Sequence, residues 1–256
     1  MLGADTAEIT QALARVTLSG ELADAVRHAD MVFEAAPEKL ELKQSIFAQI
    51  EEHAPGTAIL ASNTSVIQIT KIMSGLKTRH RALGTHWWNP PHMIPLVEVV
   101  KTEWTDPALA QDMMDVLADA GKTPVMVEKD VPGFIGNRLQ HALWREAISL
   151  VENGICSAQA VDDVVKASFG RRLAVLGPLE NADLVGMELT QDIHKQVLFD
   201  LETSPEPSPY LQTLLDDGRT GMAAGAGLRA WNDGDLAATK ARVAEHLRQL
   251  EKILPK

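Results

Sequence analysis

The 256-residue chain has one cysteine, Cys156. A lone thiol excludes an intramolecular disulfide framework. No apolar run reaches roughly 18 residues, so no membrane span is expected. The opening residues, MLGADTAEIT, have neither the basic start nor the apolar centre of a signal peptide, which makes the cytoplasm the expected compartment. Basic residues are in deficit: 24 Lys and Arg stand against 35 Asp and Glu, a net charge of −11. That balance lacks the basic stripe a nucleic-acid surface needs. It still admits a small anionic ligand, because a local site can be basic on an acidic protein. The histidines other than His86 show no metal-ligand spacing, and no metal site is expected. What is present is a hydrophobic share of 45%, enough for a proper core in one large domain or two ordinary ones.

The first half alternates β-rich runs with helical patterns. Ala29–Ala36, Gly56–Ser62, RALGTHW, IPLVEVVK and KTPVMVEKD read as strands. Between them, PEKLELKQSIFAQIEEHA, SVIQITKIMSGL and DPALAQDMMDVLADAG read as helices, the last with Asp106 as N-cap and Gly121 past its end. Alternation of this kind predicts βαβ units and a mostly parallel sheet with both faces covered. From about Asp130 the strands stop. GFIGNRLQHALWREAISLVENG, SAQAVDDVVKASFG, LVGMELTQDIHKQVLFDL, PYLQTLLDDG and DLAATKARVAEHLRQLEKIL are all helical patterns. The fold class is therefore α/β, with a first domain at residues 1–130 and an all-helical one at 131–256. The Gly-rich GMAAGAGLRAW follows no strand, so its glycines read as a turn rather than a dinucleotide loop.

The stretch THWWNPPHMIPLVEVV carries the main chemical signal. His86 ends one strand, Glu98 lies in the next, and WWNPPHMIP between them can reverse the chain. Adjacent strands would bring the imidazole and carboxylate together. A carboxylate beside imidazole fixes the ring tautomer, as a general base for an alcohol proton requires. A buried histidine satisfied by a glutamate for structural reasons alone fits the same spacing. Ser62, Asn63, Thr64 and Ser65 fall between a strand and a helix, where ligands bind in open α/β sheets. The alternative there is helix capping, which explains one such residue more easily than four in a row. Asn137, just inside the long helix after Asp130, could hydrogen-bond an alkoxide or carbonyl, or simply pack at the domain junction.

The ordered motifs VFEAAPEKLELK, ILASNTS, THWWNPPHMIPLVEVV, DVPGFIGNRL, LGPLENADLVG and PSPYLQTLLDDGRTGM resemble the 3-hydroxyacyl-CoA dehydrogenase family, 3-hydroxybutyryl-CoA dehydrogenases included. The resemblance runs from about Arg15 to Trp231. It implies a doubly wound, Rossmann-type domain followed by a helical substrate and dimerisation domain. It implies NAD as cofactor and a homodimer, and no nucleic-acid or membrane partner. It makes His86 the catalytic base and Glu98 its orienting partner, with Ser65 and Asn137 around the reacting oxygen. Glu38, Lys43, Ser65 and Asn89 match positions that contact NAD. The implied reaction is reversible oxidation of a 3-hydroxyacyl-CoA to the 3-oxoacyl-CoA, in fatty acid metabolism.

The sequence departs from the family in three places. The family's opening strand, GxGxxG turn and helix, with an acidic residue about 20 positions on, are not found here. About 50–60 family residues, CoA contacts among them, are expected to be absent before Met1, leaving the Rossmann-type domain incomplete with its first βαβ missing. Loss of that strand should bare the apolar edge of its neighbours. Ala223 stands where the family usually has a lysine before the late Gly-rich turn, and LRAW replaces the usual Phe-Tyr. HWW replaces the commoner His-Phe-Phe, with bulky indoles expected to reshape the substrate pocket. Relatives that act on carnitine or gulonate share this skeleton without CoA. Two further readings follow: a dehydrogenase of a non-CoA 3-hydroxy acid, or a non-catalytic remnant serving only in dimer assembly.

Overall fold

The structure is a computed structural model and describes residues 5–254. Residues through Arg138 form one compact unit and those from Leu139 onward a second. The segment 131–138, expected with the helical half, makes its contacts within the first unit.

The elements of the first unit are α1 (Thr6–Leu13), α2 (Leu22–Val26), β1 (Met31–Glu34), α3 (Leu40–His53), β2 (Ile59–Ser62), α4 (Ile69–Ile72), β3 (Ala82–Trp87), β4 (Leu96–Lys101), α5 (Pro107–Asp119) and β5 (Thr123–Val127). The five strands form one sheet in the order β1-β2-β3-β4-β5. β1, β2 and β3 run parallel, β3 and β4 antiparallel, and β4 and β5 parallel. Side chains alternate across the sheet. Leu60, Ala82 and Val100 join Phe47 and Ile50 of α3 and Ile69 and Ile72 of α4 in one buried cluster. Ile59, Ala61, Leu83, Val97 and Val99 join Ala110, Met113 and Leu117 of α5 in a second. Gly84 lets α4 approach closely: a Cβ there would meet Cδ1 of Ile69 at 2.7 Å. β1 has no outer strand partner among the described residues, and its Phe33 is 44% exposed.

Asp106 caps α5 through Ala108 N–H, with Pro107 at the first helical position, and Gly121 adopts φ 76° just past its end. The helix expected from SVIQITKIMSGL shrinks to α4. The N–H groups of Ser65 and Val66 go to the Glu38 carboxylate and that of Ile67 to the Thr64 hydroxyl, so the turn they would have built is not helical.

The remaining elements are α6 (Gly136–Glu152), α7 (Ala158–Ala167), α8 (Pro178–Val185), α9 (Met187–Val197), α10 (Pro209–Asp216) and α11 (Asp235–Ile253). Ser157 caps α7 by accepting the Ala160 N–H. The continuous helix expected over LVGMELTQDIHKQVLFDL is instead broken at Gly186, where φ is 100°. From Leu139 on, Leu214 is the one buried hydrophobic side chain among the described residues. No helix among them is long and apolar enough to cross a membrane.

Candidate active site

Because β1, β2 and β3 are parallel, their carboxyl ends share one edge of the sheet. That edge gathers Glu34, the Ser62–Ser65 turn and His86, the location where ligands bind in open α/β sheets. In the antiparallel pair next to it, His86 stands directly opposite Glu98. Directly paired residues project their side chains to the same face. The Nδ1 of His86 accordingly lies 2.7 Å from Oε2 of Glu98.

His86 is 4% and Glu98 1% exposed. The other carboxylate oxygen, Oε1, accepts the backbone N–H of Ile135 at 2.9 Å and of Gly136 at 3.0 Å. Gly136 is the first residue of α6, so the charge sits at a helix N-terminus. The Trp88 indole Nε1 donates to Oε2 at 3.2 Å. Burial raises the pKa of Glu98, but the hydrogen bonds from His86, Gly136, Ile135 and Trp88 outweigh it and hold the carboxyl below its usual value. An ionised Glu98 only accepts, so Nδ1 carries the proton, and in the neutral ring Nε2 is left as the acceptor. The imidazole lies 5.4 Å from the ring of Trp88 and 5.6 Å from that of Phe134, itself in a left-handed conformation at φ 51°.

The four polar residues after β2 have different tasks. Ser62 donates to Oε2 of Glu34 at 2.6 Å in the interior. Asn63 accepts the Trp87 N–H at 3.0 Å and so ties the end of β2 to β3. Thr64 donates to Oε1 of Glu38 at 2.5 Å. Ser65 is exposed, and its carbonyl accepts the Asn137 side-chain amide at 2.8 Å. Ser65 and Asn137, far apart in sequence, are therefore adjacent.

Of the residues expected to face NAD, Glu38 receives Thr64 and the N–H groups of Ser65 and Val66 on Oε1. Burial works against its charge, but these bonds and the Lys43 ammonium hold its carboxyl below the usual range. Lys43 is wholly buried. Its Nζ donates to both oxygens of Glu34, at 2.8 and 3.0 Å, and to the Ala36 carbonyl at 3.1 Å, with Oε2 of Glu38 at 3.5 Å. Asn89 is exposed beside Trp88, without a side-chain hydrogen bond among the described residues. Of the two indoles, Trp88 lies beside the base. Trp87 packs against the cluster under α5.

Sequence reasoning missed Glu34, Trp88 as a hydrogen-bond donor, and the backbone groups of Ile135 and Gly136. A signal existed for Glu34, since an acid at the end of a buried strand must find a cation. None existed for the backbone donors.

Residues 2–131 match the NAD-binding domain of 3-hydroxyacyl-CoA dehydrogenase, and residues 133–231 match its C-terminal domain. The chain belongs to the 3-hydroxyacyl-CoA dehydrogenase family. By that membership it is an NAD-dependent oxidoreductase. Among curated relatives, 5-formyl-3-hydroxy-2-methylpyridine 4-carboxylate 5-dehydrogenase of Mesorhizobium japonicum is 33% identical over 93% of this chain and 77% of its own length. A probable 3-hydroxyacyl-CoA dehydrogenase of Caenorhabditis elegans is 36% identical over 88% of this chain and 72% of its own. An L-carnitine dehydrogenase of M. japonicum is 36% identical over 68% of this chain, which spans 48% of that protein. A solved structure of the pyridine carboxylate dehydrogenase, described as an NAD+ dependent dismutase, superposes with TM-score 0.84 at 34% identity, over 92% of this chain and 75% of that one. The Escherichia coli 3-hydroxybutyryl-CoA dehydrogenase gives 0.70 at 31% identity, over 88% of this chain and 47% of that one.

Proposed function

We propose that this dehydrogenase oxidises the hydroxyl of a hydroxy acid or its thioester reversibly, with His86 as general base and Glu98 as its orienting partner. The observation that carries the reading is the 2.7 Å contact between Nδ1 and the buried, ionised carboxylate. It commits Nδ1 to Glu98 and points the lone pair of Nε2 away from it. A base of this kind takes the hydroxyl proton as the C–H bond breaks. NAD, when bound, supplies the hydride acceptor.

The residues present fit the nicotinamide and ribose side of that cofactor. Ser65 offers an exposed hydroxyl, Asn89 an exposed amide and Glu38 a carboxylate whose side chain is 35% exposed. Asn137, anchored on the Ser65 carbonyl, keeps its oxygen for the substrate side. Lys43 acts on a ligand through Glu38, because its ammonium is committed to Glu34, Ala36 and Glu38.

Two substrate classes fit this chemistry. A 3-hydroxyacyl-CoA, with a place in fatty acid metabolism, follows from the family. A free hydroxy acid is favoured by the similarity to L-carnitine dehydrogenases. Acetoacetyl-CoA assayed against free 3-oxo acids with NADH separates them. We further propose that the protein works as a cytoplasmic homodimer. His86→Ala should abolish turnover, by about 10²–10⁴-fold, with an unchanged circular dichroism spectrum. Unchanged turnover would remove the dyad. No NADH fluorescence change at millimolar cofactor would favour a non-catalytic assembly role instead.

A further inference from the structure

Trp88 follows β3 directly, and its indole Nε1 reaches Oε2 of Glu98 at 3.2 Å. That is the oxygen which also holds Nδ1 of His86. The indole ring lies 5.4 Å from the imidazole, tilted by 54°. Gly136 also borders the indole, and its N–H holds the other oxygen of the same carboxylate. Gly136 is helical, so its backbone makes no demand for glycine. What it supplies is space: a Cβ there would overlap Cζ2 of Trp88. The glycine at this contact therefore admits the ring.

We propose that Trp88 is a positioning residue of the dyad: its indole N–H fixes Oε2 of Glu98 toward His86, and Gly136 keeps the space for that ring. The proposal rests on the dyad reading and deepens it. A second donor on Oε2 restricts the rotation of the carboxylate. It also draws charge from the oxygen that orients the imidazole, because hydrogen bonds to an ionised form favour that form. The groups facing Glu98 are His86 from β3, the neutral indole, the N–H groups at the start of α6, and the apolar Val125 in register on β5. Of these the imidazole is the titratable one.

Trp88→Phe keeps a flat aromatic ring and removes the donor. The readout is the side-chain carboxyl carbon resonance of Glu98 across pH, assigned by its loss in Glu98→Gln. The midpoint should rise by about half a pH unit or more, since the ionised form loses a partner. A ring that only fills space would leave the midpoint where it was, and that result overturns the proposal. Gly136→Ala reaches the same end by pushing the indole off the carboxylate. Its midpoint should rise as well, and in Gly136→Ala/Trp88→Phe the rise should not exceed that of Trp88→Phe alone. Fully additive rises would overturn the role given to Gly136. In turnover, the acid limb of kcat/KM should move to higher pH in Trp88→Phe. If His86→Ala stays active, the dyad reading fails whatever Trp88 does. If His86→Ala is dead and Trp88→Phe moves neither limb nor midpoint, the Trp88 assignment alone fails.

Discussion

At the residue scale, the most demanding group outside the dyad is the Lys43–Glu34 pair, with side chains 0% and 2% exposed. Glu34 is fully partnered: besides Lys43 it accepts the Ala36 N–H and the Ser62 hydroxyl. Two charges held this deep add little net stability as a pair, but removing one strands the other. Lys43→Met should therefore cost about 3–5 kcal/mol in urea unfolding, and Lys43→Met/Glu34→Gln less than the sum of the single changes. Additive costs would mean that the two groups are not coupled. The same residue shows where sequence reasoning stops. His86 and Glu98 could be paired on paper, because a reversing loop between two strands sets their register. Lys43 could not be separated from a ligand-facing lysine, because its partner lies on a preceding strand at no periodic spacing. Ser62, Asn63 and Thr64 read alike as ligand groups, yet each is committed to Glu34, Trp87 or Glu38. Their neighbour Ser65 keeps the exposed position.

At the element scale, Glu51 fastens α3 to the segment that leads into β3. Its carboxylate accepts the N–H groups of Lys77 and Thr78 at 3.1 and 2.7 Å and the Thr78 hydroxyl at 2.6 Å. Thr78 in turn holds the buried Arg81, whose guanidinium also donates to the carbonyls of Pro55 and Ala58. Burial opposes the charge of Glu51, but the Thr78 and Lys77 bonds and the nearby Arg81 hold its carboxyl below the usual range. A carboxyl depressed in the folded state contributes its full stability above its unfolded pKa and loses it as pH falls through the folded one. Glu51→Gln should thus cost about 1 kcal/mol near neutrality, kept small by solvent at a half-buried site. The gap in Tm between the two proteins should close as pH falls from 6 to 3. A gap that stays constant would refute the linkage. The strands and α5 were legible because alternation, caps and helix-period spacing all agreed. α4 was read too long because Glu38, remote in sequence, takes the N–H groups of the turn before it. The break at Gly186 was hidden because apolar spacing continues on both sides of it. α1, α2 and α8 were not anticipated, α2 being too short to carry a clear period.

At the scale of the whole molecule, the two units differ in how they bury apolar surface. The sheet unit has a cluster on each face. The helical unit buries Leu214, while Leu179, Leu184, Val175 and Phe199 are each at least 75% exposed. Helices gain most of their stability from packing an apolar face, so a helical unit without a core of its own requires an outside surface. A second copy of the chain is the occupant proposed here. Light scattering after gel filtration should then report twice the chain mass at micromolar concentration, and Phe199→Asp or Leu179→Asp should weaken the association. Each copy carries a net charge of −11, so pairing two copies opposes long-range repulsion. Salt screens such repulsion beyond about 8 Å at physiological strength, whereas it leaves apolar burial intact. The dimer should therefore tighten as salt is raised, the reverse of an interface held by ion pairs. A chain that runs as a monomer at every salt concentration would refute the proposed assembly while leaving the His86–Glu98 chemistry untouched.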